Sequence, residues 1–167
     1  NKIGSILLAD SNFISYNYRT NISQSRHIGL ESYIEANILK WINGSDAAMS
    51  VLVFSNFSLI SAKYIHSKDP SVNGNKVEFV PDIIFKTGVT VRKNKFAASY
   101  QFSYTGEQFT DATNAPSSPN AIDGIIPGYN IMDLSIEYQI SRLFTLSGTI
   151  NNLTNKRYFT RRADSYP

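Results

Sequence analysis

Between Met132 and Ile140 the chain alternates without a break. Met132, Leu134, Ile136, Tyr138 and Ile140 fall on one side, and Asp133, Ser135, Glu137 and Gln139 on the other. A period of two held over nine residues describes a β-strand with one apolar and one polar face. A short connection at Ser141-Arg142-Leu143 leads into a second run from about Phe144. There Leu146, Gly148 and Ile150 oppose Thr145, Ser147, Thr149 and Asn151. Two alternating strands joined by a tight turn make one hairpin of an up-and-down antiparallel sheet.

The same pattern recurs upstream. Asn1–Leu8 reads as the end of a strand, Ala9–Ser15 as a polar loop, and Tyr16–Thr20 as the restart of a strand. From Ser25 to Lys40, Ile28, Leu30, Ile34, Ala36 and Ile38 face away from His27, Glu31, Tyr33, Glu35 and Asn37. Asn43-Gly44 is a turn signal, and Trp41 just before it suits an interfacial anchor. Ala47–Ile65 alternates weakly, as a strand covered on both faces would. Ile83–Arg92 and Phe96–Tyr104 alternate cleanly. The sum is about seven strands and no convincing helix. Short connections at Asn43-Gly44, Lys93–Lys95 and Ser141–Leu143 alternate with long ones at His66–Asp82 and Gly106–Pro127. All the short turns therefore fall at one end of the sheet and the long loops at the other.

Alternation alone suits a water-soluble sandwich or small barrel as well as it suits a membrane barrel. Loop asymmetry and strand length favour the second, because a tilted spanning strand needs about nine to eleven residues. The expected fold is thus all-β, an antiparallel up-and-down transmembrane β-barrel. Seven strands are a part of a larger barrel, since an open sheet edge in hydrocarbon leaves backbone groups unpaired. The chain lacks an initiating Met and ends just after a loop-like segment, so it reads as a piece of a longer protein.

Other classes find little support among the 167 residues. No Cys is present, the net charge is a mild +3, and no basic block points to nucleic acid. No apolar run reaches the eighteen residues of a spanning helix. His27 and His66 lack metal-ligand spacing. No Gly-rich phosphate loop or nucleophile elbow appears, and no cofactor is implied, so an enzyme is not expected.

Several short pieces, taken in order, resemble the TonB-dependent outer-membrane receptors, especially those of the ferric-citrate and ferric-siderophore type. Asn152-Leu153-Thr154-Asn155-Lys156-Arg157-Tyr158 is similar to a motif near the end of the family's penultimate strand. Tyr158-Phe159-Thr160-Arg161-Arg162-Ala163, with Tyr166-Pro167 after it, is similar to its last outer loop. Arg26-His27-Ile28-Gly29-Leu30-Glu31 resembles a recurrent strand start. Asn75–Pro81 resembles the segment before a descending strand. The resemblance implies that residues 1–167 are the C-terminal part of the receptor barrel, without the plug domain and the final strand. It implies uptake of a ferric chelate with TonB-supplied energy, TonB being reached through the N-terminal region, in an outer membrane of lipid and lipopolysaccharide. A passive porin is the alternative, and the plug separates the two.

Within that frame Arg157, Arg161 and Arg162 form a basic cluster in the terminal outer loop. Guanidinium groups suit bidentate contact with carboxylates or catecholates of an anionic chelate. A solvated or lipopolysaccharide-facing loop is the plainer reading of the same residues. Glu31, Glu35, Asp133 and Glu137 share the lumen side with Lys86 and Arg92, and ion pairing among them or with the plug is expected. Trp41, Tyr64, Tyr129, Tyr138 and Tyr158 lie near strand ends, where either an aromatic girdle or ordinary sheet packing would place them.

Overall fold

The computed structural model describes residues 2–9, 15–43, 49–117, 119 and 123–162. Seven strands form one antiparallel sheet in chain order, apart from two short strands carried on a loop. They are β1 (Lys2–Ala9), β2 (Ser15–Asn37), β3 (Met49–Ser67), β4 (Ile83–Lys93), β5 (Phe96–Thr105), β8 (Tyr129–Gln139) and β9 (Thr145–Ile150), with β6 (Gln108–Phe109) and β7 (Ile125–Ile126) on the loop. The expected turn at 44–46, the loop at 10–14, and Ala163, Tyr166 and Pro167 lie outside the described residues. Among the described residues the sheet is not closed on itself: β1 and β9 are its edges.

Two differences from the sequence reading stand out. First, β2 is one strand of 23 residues rather than two pieces. At about 3.3 Å per residue it is roughly 75 Å long, far beyond a membrane-spanning length. Its upper part pairs with β1 from Lys2↔Ser23 to Ala9↔Ser15. Second, β2 stops at Asn37, and Ile38–Asn43 form a short helix, α1. The Asn37 side chain causes the stop: its Oδ1 accepts the Lys40 amide at 3.2 Å, an N-cap bond. Its Nδ2 reaches Ser50 Oγ at 2.8 Å across the hairpin. Trp41 therefore sits on a helix, 85% exposed.

Register places every alternating run on common faces. Leu134, Tyr100, Val89, Val53 and Ala36 follow one another across β8, β5, β4, β3 and β2. This face is apolar and bare: Leu30 is 65% and Ile34 67% exposed. Soluble monomers rarely expose a contiguous apolar patch of more than a few hundred Å², and this one runs across five strands. The opposite face carries Glu31, Glu35, Lys86, Arg92, Asp133 and Glu137.

The apolar face is a band of fixed height that climbs across the sheet. It spans Met132–Ile140 on β8 and the residue after it, Phe96–Tyr104 on β5, Ile83–Val91 on β4, Val51–Leu59 on β3 and Ile28–Ala36 on β2. Read through the register, its upper limit rises six residues over the four steps from β8 to β2. With a rise of about 3.3 Å per residue and strands about 4.8 Å apart, that is a tilt of about 45°. Spanning strands of membrane barrels tilt by about 35–45° around an apolar belt about 25 Å tall. Eight residue steps at this tilt give a belt of about 20 Å. Phe57, Phe85 and Phe102 interlock near the top of the belt, with successive ring centroids 6.3 Å apart. Phe96 and Tyr138 pair near its foot.

On the polar face Phe54 lies over Gly88 and stacks on Tyr33, with centroids 6.4 Å apart. Of the expected ion pairs, those within the sheet do not form. Among the described residues none of Glu31, Glu35, Asp133 or Glu137 meets Lys86 or Arg92. Glu35 accepts the Tyr33 hydroxyl at 2.6 Å instead. Lys86 and Arg92 extend from β4, and the carboxylates come from β2 and β8, too far along the sheet to be direct cross-strand neighbours.

Candidate ligand-binding mouth

The long connections converge at the end of the sheet away from α1. Each is built from Asn, Asp, Ser and Gly, residues that bond their own backbone and tolerate left-handed φ. Asp69 accepts the Ser71 amide at 3.0 Å and caps a single 3₁₀ turn, Pro70–Val72. The Ser71 hydroxyl and amide hold the Asp69 carboxyl below its ordinary pKa. Gly74 follows at φ 87°. The chain then runs back along β3, with Val77 N bonding Ala62 O at 2.9 Å and Tyr64 N bonding Asn75 O at 2.9 Å. Tyr64 is 2% exposed and its hydroxyl donates to Glu78. Burial, followed by that bond, pushes the phenol pKa up. The stability it confers is complete below the unfolded tyrosine pKa of about 10 and fades as pH rises through the raised folded value. Tyr64 is thus a packed residue, and no girdle member.

The segment 68–82 is tied to the segment 106–128. Asn114 stands at φ 56° and forms a reciprocal pair with Lys76. Lys76 N donates to Asn114 Oδ1 at 2.7 Å, and Asn114 Nδ2 donates to Lys76 O at 2.9 Å. Asn75 Nδ2 reaches the carbonyls of Ala112 at 3.0 Å and Thr113 at 3.1 Å. Phe79 N bonds Phe109 O at 2.9 Å. The loop strands β6 and β7 pair through Gln108↔Ile126 and Phe109↔Ile125, with Ile126 wholly buried.

The third segment, 151–162, is shaped by the Asn152-Leu153-Thr154-Asn155-Lys156 motif. Asn152 and Asn155 both adopt left-handed φ, 53° and 49°. Asn152 Oδ1 accepts Lys156 N at 2.8 Å, and its Nδ2 donates to Lys156 O at 2.9 Å. Its own amide donates to Asp133 Oδ1 at 2.8 Å, which draws the segment onto the polar face of the sheet. Tyr158 then stacks on Tyr129, with centroids 4.4 Å apart and planes at 20°. These two tyrosines pack against each other rather than joining an aromatic girdle. Asn152→Ala removes two bonds and places a less suitable residue at positive φ. We expect a loss of about 1–3 kcal/mol of local stability and faster proteolysis after Lys156 and Arg157 in the folded full-length protein. Asn152→Gly should relieve the backbone and still leave the segment loose.

The three arginines meet three different surroundings. Arg157 lines a pocket of about 120 Å³ with Lys156, Tyr129, Tyr158, Gly128 and Phe159. Arg161 is exposed. Arg162 donates through Nη2 to Ile125 O at 2.8 Å and lies 5.7 Å from the Phe159 ring centroid, fastening the segment to β7. Arg162 thus acts in holding the loops together. Lys156 and the tyrosine pair were not read from the sequence as ligand contacts; the adjacency of Lys156 to Arg157 was the available signal. The pocket offers two cations and three aromatic rings to an anionic, partly planar ligand. No group of three or more metal ligands exists among the described residues, and His27 pairs with Ser25 Oγ at 3.1 Å.

Comparison with known proteins agrees with this architecture. No curated protein sequence matches the chain. Among solved structures, a crystal structure of the unliganded ferric citrate transporter FecA matches with a TM-score of 0.75 over 87% of this chain, at 22% identity. That likeness speaks for the fold, and the chain spans 22% of that transporter's length. Residues 1–153 match the family described as TonB dependent receptor-like, beta-barrel. The chain belongs to the TonB-dependent receptor family, within whose β-barrel its climbing apolar band and knitted loops find their place.

Proposed function

We propose that this chain contributes wall and mouth to an outer-membrane receptor that takes up a ferric chelate, ferric citrate or a siderophore, with energy from TonB. The observation that carries the reading is the Lys156–Arg157 pocket beside the stacked Tyr129 and Tyr158, on the polar-face side of the sheet. Carboxylates or catecholates of a chelate would meet charge-assisted donors there, and rings would meet rings. The polar face below, with Lys86 and Arg92, would line the lumen. Residues 1–167 would be the C-terminal part of the barrel, with a plug and a final strand supplied by other parts of the receptor. Energy from TonB and the choice of iron are carried over from the family and from the transporter it resembles. Arg161 is proposed as a secondary contact at the rim.

The test uses the full-length receptor and ferric citrate, followed by titration calorimetry. Lys156→Gln with Arg157→Gln should weaken binding about ten- to a hundredfold, given about 1.5–3 kcal/mol for a hydrogen bond to a charged group. Unchanged affinity in a correctly folded double variant would reject the pocket. Uptake of labelled ferric citrate that persists without TonB would favour a passive pore.

A further inference from the structure

Just above the apolar band, on the same outward face, three cations stand side by side. Arg26 lies above Ile28 on β2, and its cross-strand partner on β3 is Lys63. Lys63 in turn bridges to Lys76. The Lys63–Lys76 bridge is of the non-hydrogen-bonded kind, as the flanking bonds Tyr64 N to Asn75 O and Val77 N to Ala62 O require. Side chains approach more closely in such a pair. Like charges placed directly opposite destabilise a sheet. Lys76 has relief, since its Nζ lies 2.6 Å from Asp82 Oδ2. Arg26 and Lys63 are exposed, and neither meets a carboxylate among the described residues.

Directly beneath this row the apolar face is hollowed. Ile28, Leu30, Leu59 and Ile83 line a groove of about 440 Å³, and Asp82, the partner of Lys76, stands at its edge. The groove forms where β4 begins at Ile83 while β2 and β3 continue upward. Ile28, Leu59 and Ile83 are the upper limits of the band on β2, β3 and β4. Cations above an apolar groove, at the upper edge of a membrane belt, match a lipid whose headgroup is anionic and whose chains lie below it.

We propose that this ledge binds a phosphate-bearing anionic lipid of the outer leaflet, with phosphate against Arg26 and Lys63 and an acyl chain in the groove. The proposal rests on the outer-membrane reading above and is independent of the ligand carried. It accounts for the neighbouring charges of Arg26 and Lys63, which meet no carboxylate among the described residues, because a phosphate accepts from both cations at once.

The test is native mass spectrometry of the detergent-solubilised full-length receptor, titrated with bisphosphorylated lipid A and, separately, with phosphatidylethanolamine. Wild type should bind lipid A preferentially. Arg26→Gln with Lys63→Gln should weaken lipid A binding about thirtyfold, from the loss of two interfacial cations, and leave phosphatidylethanolamine unaffected. In lipid-free detergent the double variant should be at least as heat-stable as wild type, because a repulsion is removed. Inorganic pyrophosphate should not displace lipid A, since it lacks the chain. Equal lipid A binding by both proteins, or displacement by pyrophosphate, overturns the site alone. Retention of neither lipid by either protein overturns the site and the outer-membrane reading together.

Discussion

Replacing Gly88 by valine should abolish assembly of the receptor barrel. A Cβ at this position would lie 2.6 Å from Phe54 Cε1 and 2.8 Å from the Tyr100 carbonyl oxygen. The first contact is with a ring pinned by its stack on Tyr33. The second is with backbone in the neighbouring strand, which can move only if the β4–β5 ladder opens. Overpacking of this kind costs about 1–3 kcal/mol, occasionally more, and valine adds branched atoms to the clash. Heat-modifiable mobility of the full-length receptor on gels, which separates folded from unfolded barrels, is the direct readout. Gly88→Ala should fold poorly, and adding Phe54→Ala should recover it in part, because the ring clash goes while the carbonyl clash stays. Full folding of Gly88→Val would show that β4 and β5 are further apart than the structure has them.

Charge on the sheet should be tolerated on one face and rejected on the other. Ile136 lies in the middle of the apolar band on β8, and Ser135 beside it points the opposite way. An arginine on the lipid face near the bilayer midplane costs about 2–4 kcal/mol, and less towards the interfaces. Ile136→Arg should therefore depress the stability of the full-length receptor in lipid by that amount, read as a lower denaturant midpoint. Ser135→Arg, one residue away, should change it little, because the polar face already carries Glu137 and Asp133. Equal penalties would mean that the band does not face hydrocarbon, and its climb across the sheet would lose its physical cause.

The strands that cross the belt were legible in the sequence because hydrocarbon on one side and polar surroundings on the other impose a strict period of two. On β4, β5 and β8 the runs that open at Ile83, Phe96 and Met132 match the observed strands to within a few residues. Above the belt that imprint is broken: Tyr16, Tyr18, Thr20 and Ile22 alternate with Asn17, Arg19, Asn21 and Ser23, but Gln24 and Arg26 interrupt the apolar side before Ile28, so the continuity of β2 was hidden. At the lower end Ile34, Ala36 and Ile38 keep the strand period, yet Asn37 caps a helix there. The two-residue strands β6 and β7 carry too few letters to show a pattern.

The site was legible only in outline. A basic terminal segment was evident, and Arg157 does line a pocket. That Arg162 is turned toward the Ile125 carbonyl depends on a contact 37 residues away in the chain, and no local spacing encodes it. The Asn152 motif stands out in the sequence for its likeness to a family, whereas the structure gives it a mechanical reason: its two left-handed asparagines and its amide bond to Asp133 seat Tyr158 on Tyr129.

If the chain lines a receptor mouth as proposed, the reciprocal bonds between Asn114 and Lys76 bear on how fast a ligand would be captured. Two loops free to move separately would each have to be ordered at the moment of binding, at about 0.5–1.5 kcal/mol for every side chain immobilised. Here much of that ordering is completed when the barrel folds. On the proposed reading, an arriving chelate would meet the segments 68–82 and 106–117 already joined, so encounter would be limited more by diffusion and charge than by rearrangement. The same rigidity narrows the range of shapes that the rim accepts, and a change of cargo during evolution would have to begin by loosening Asn114.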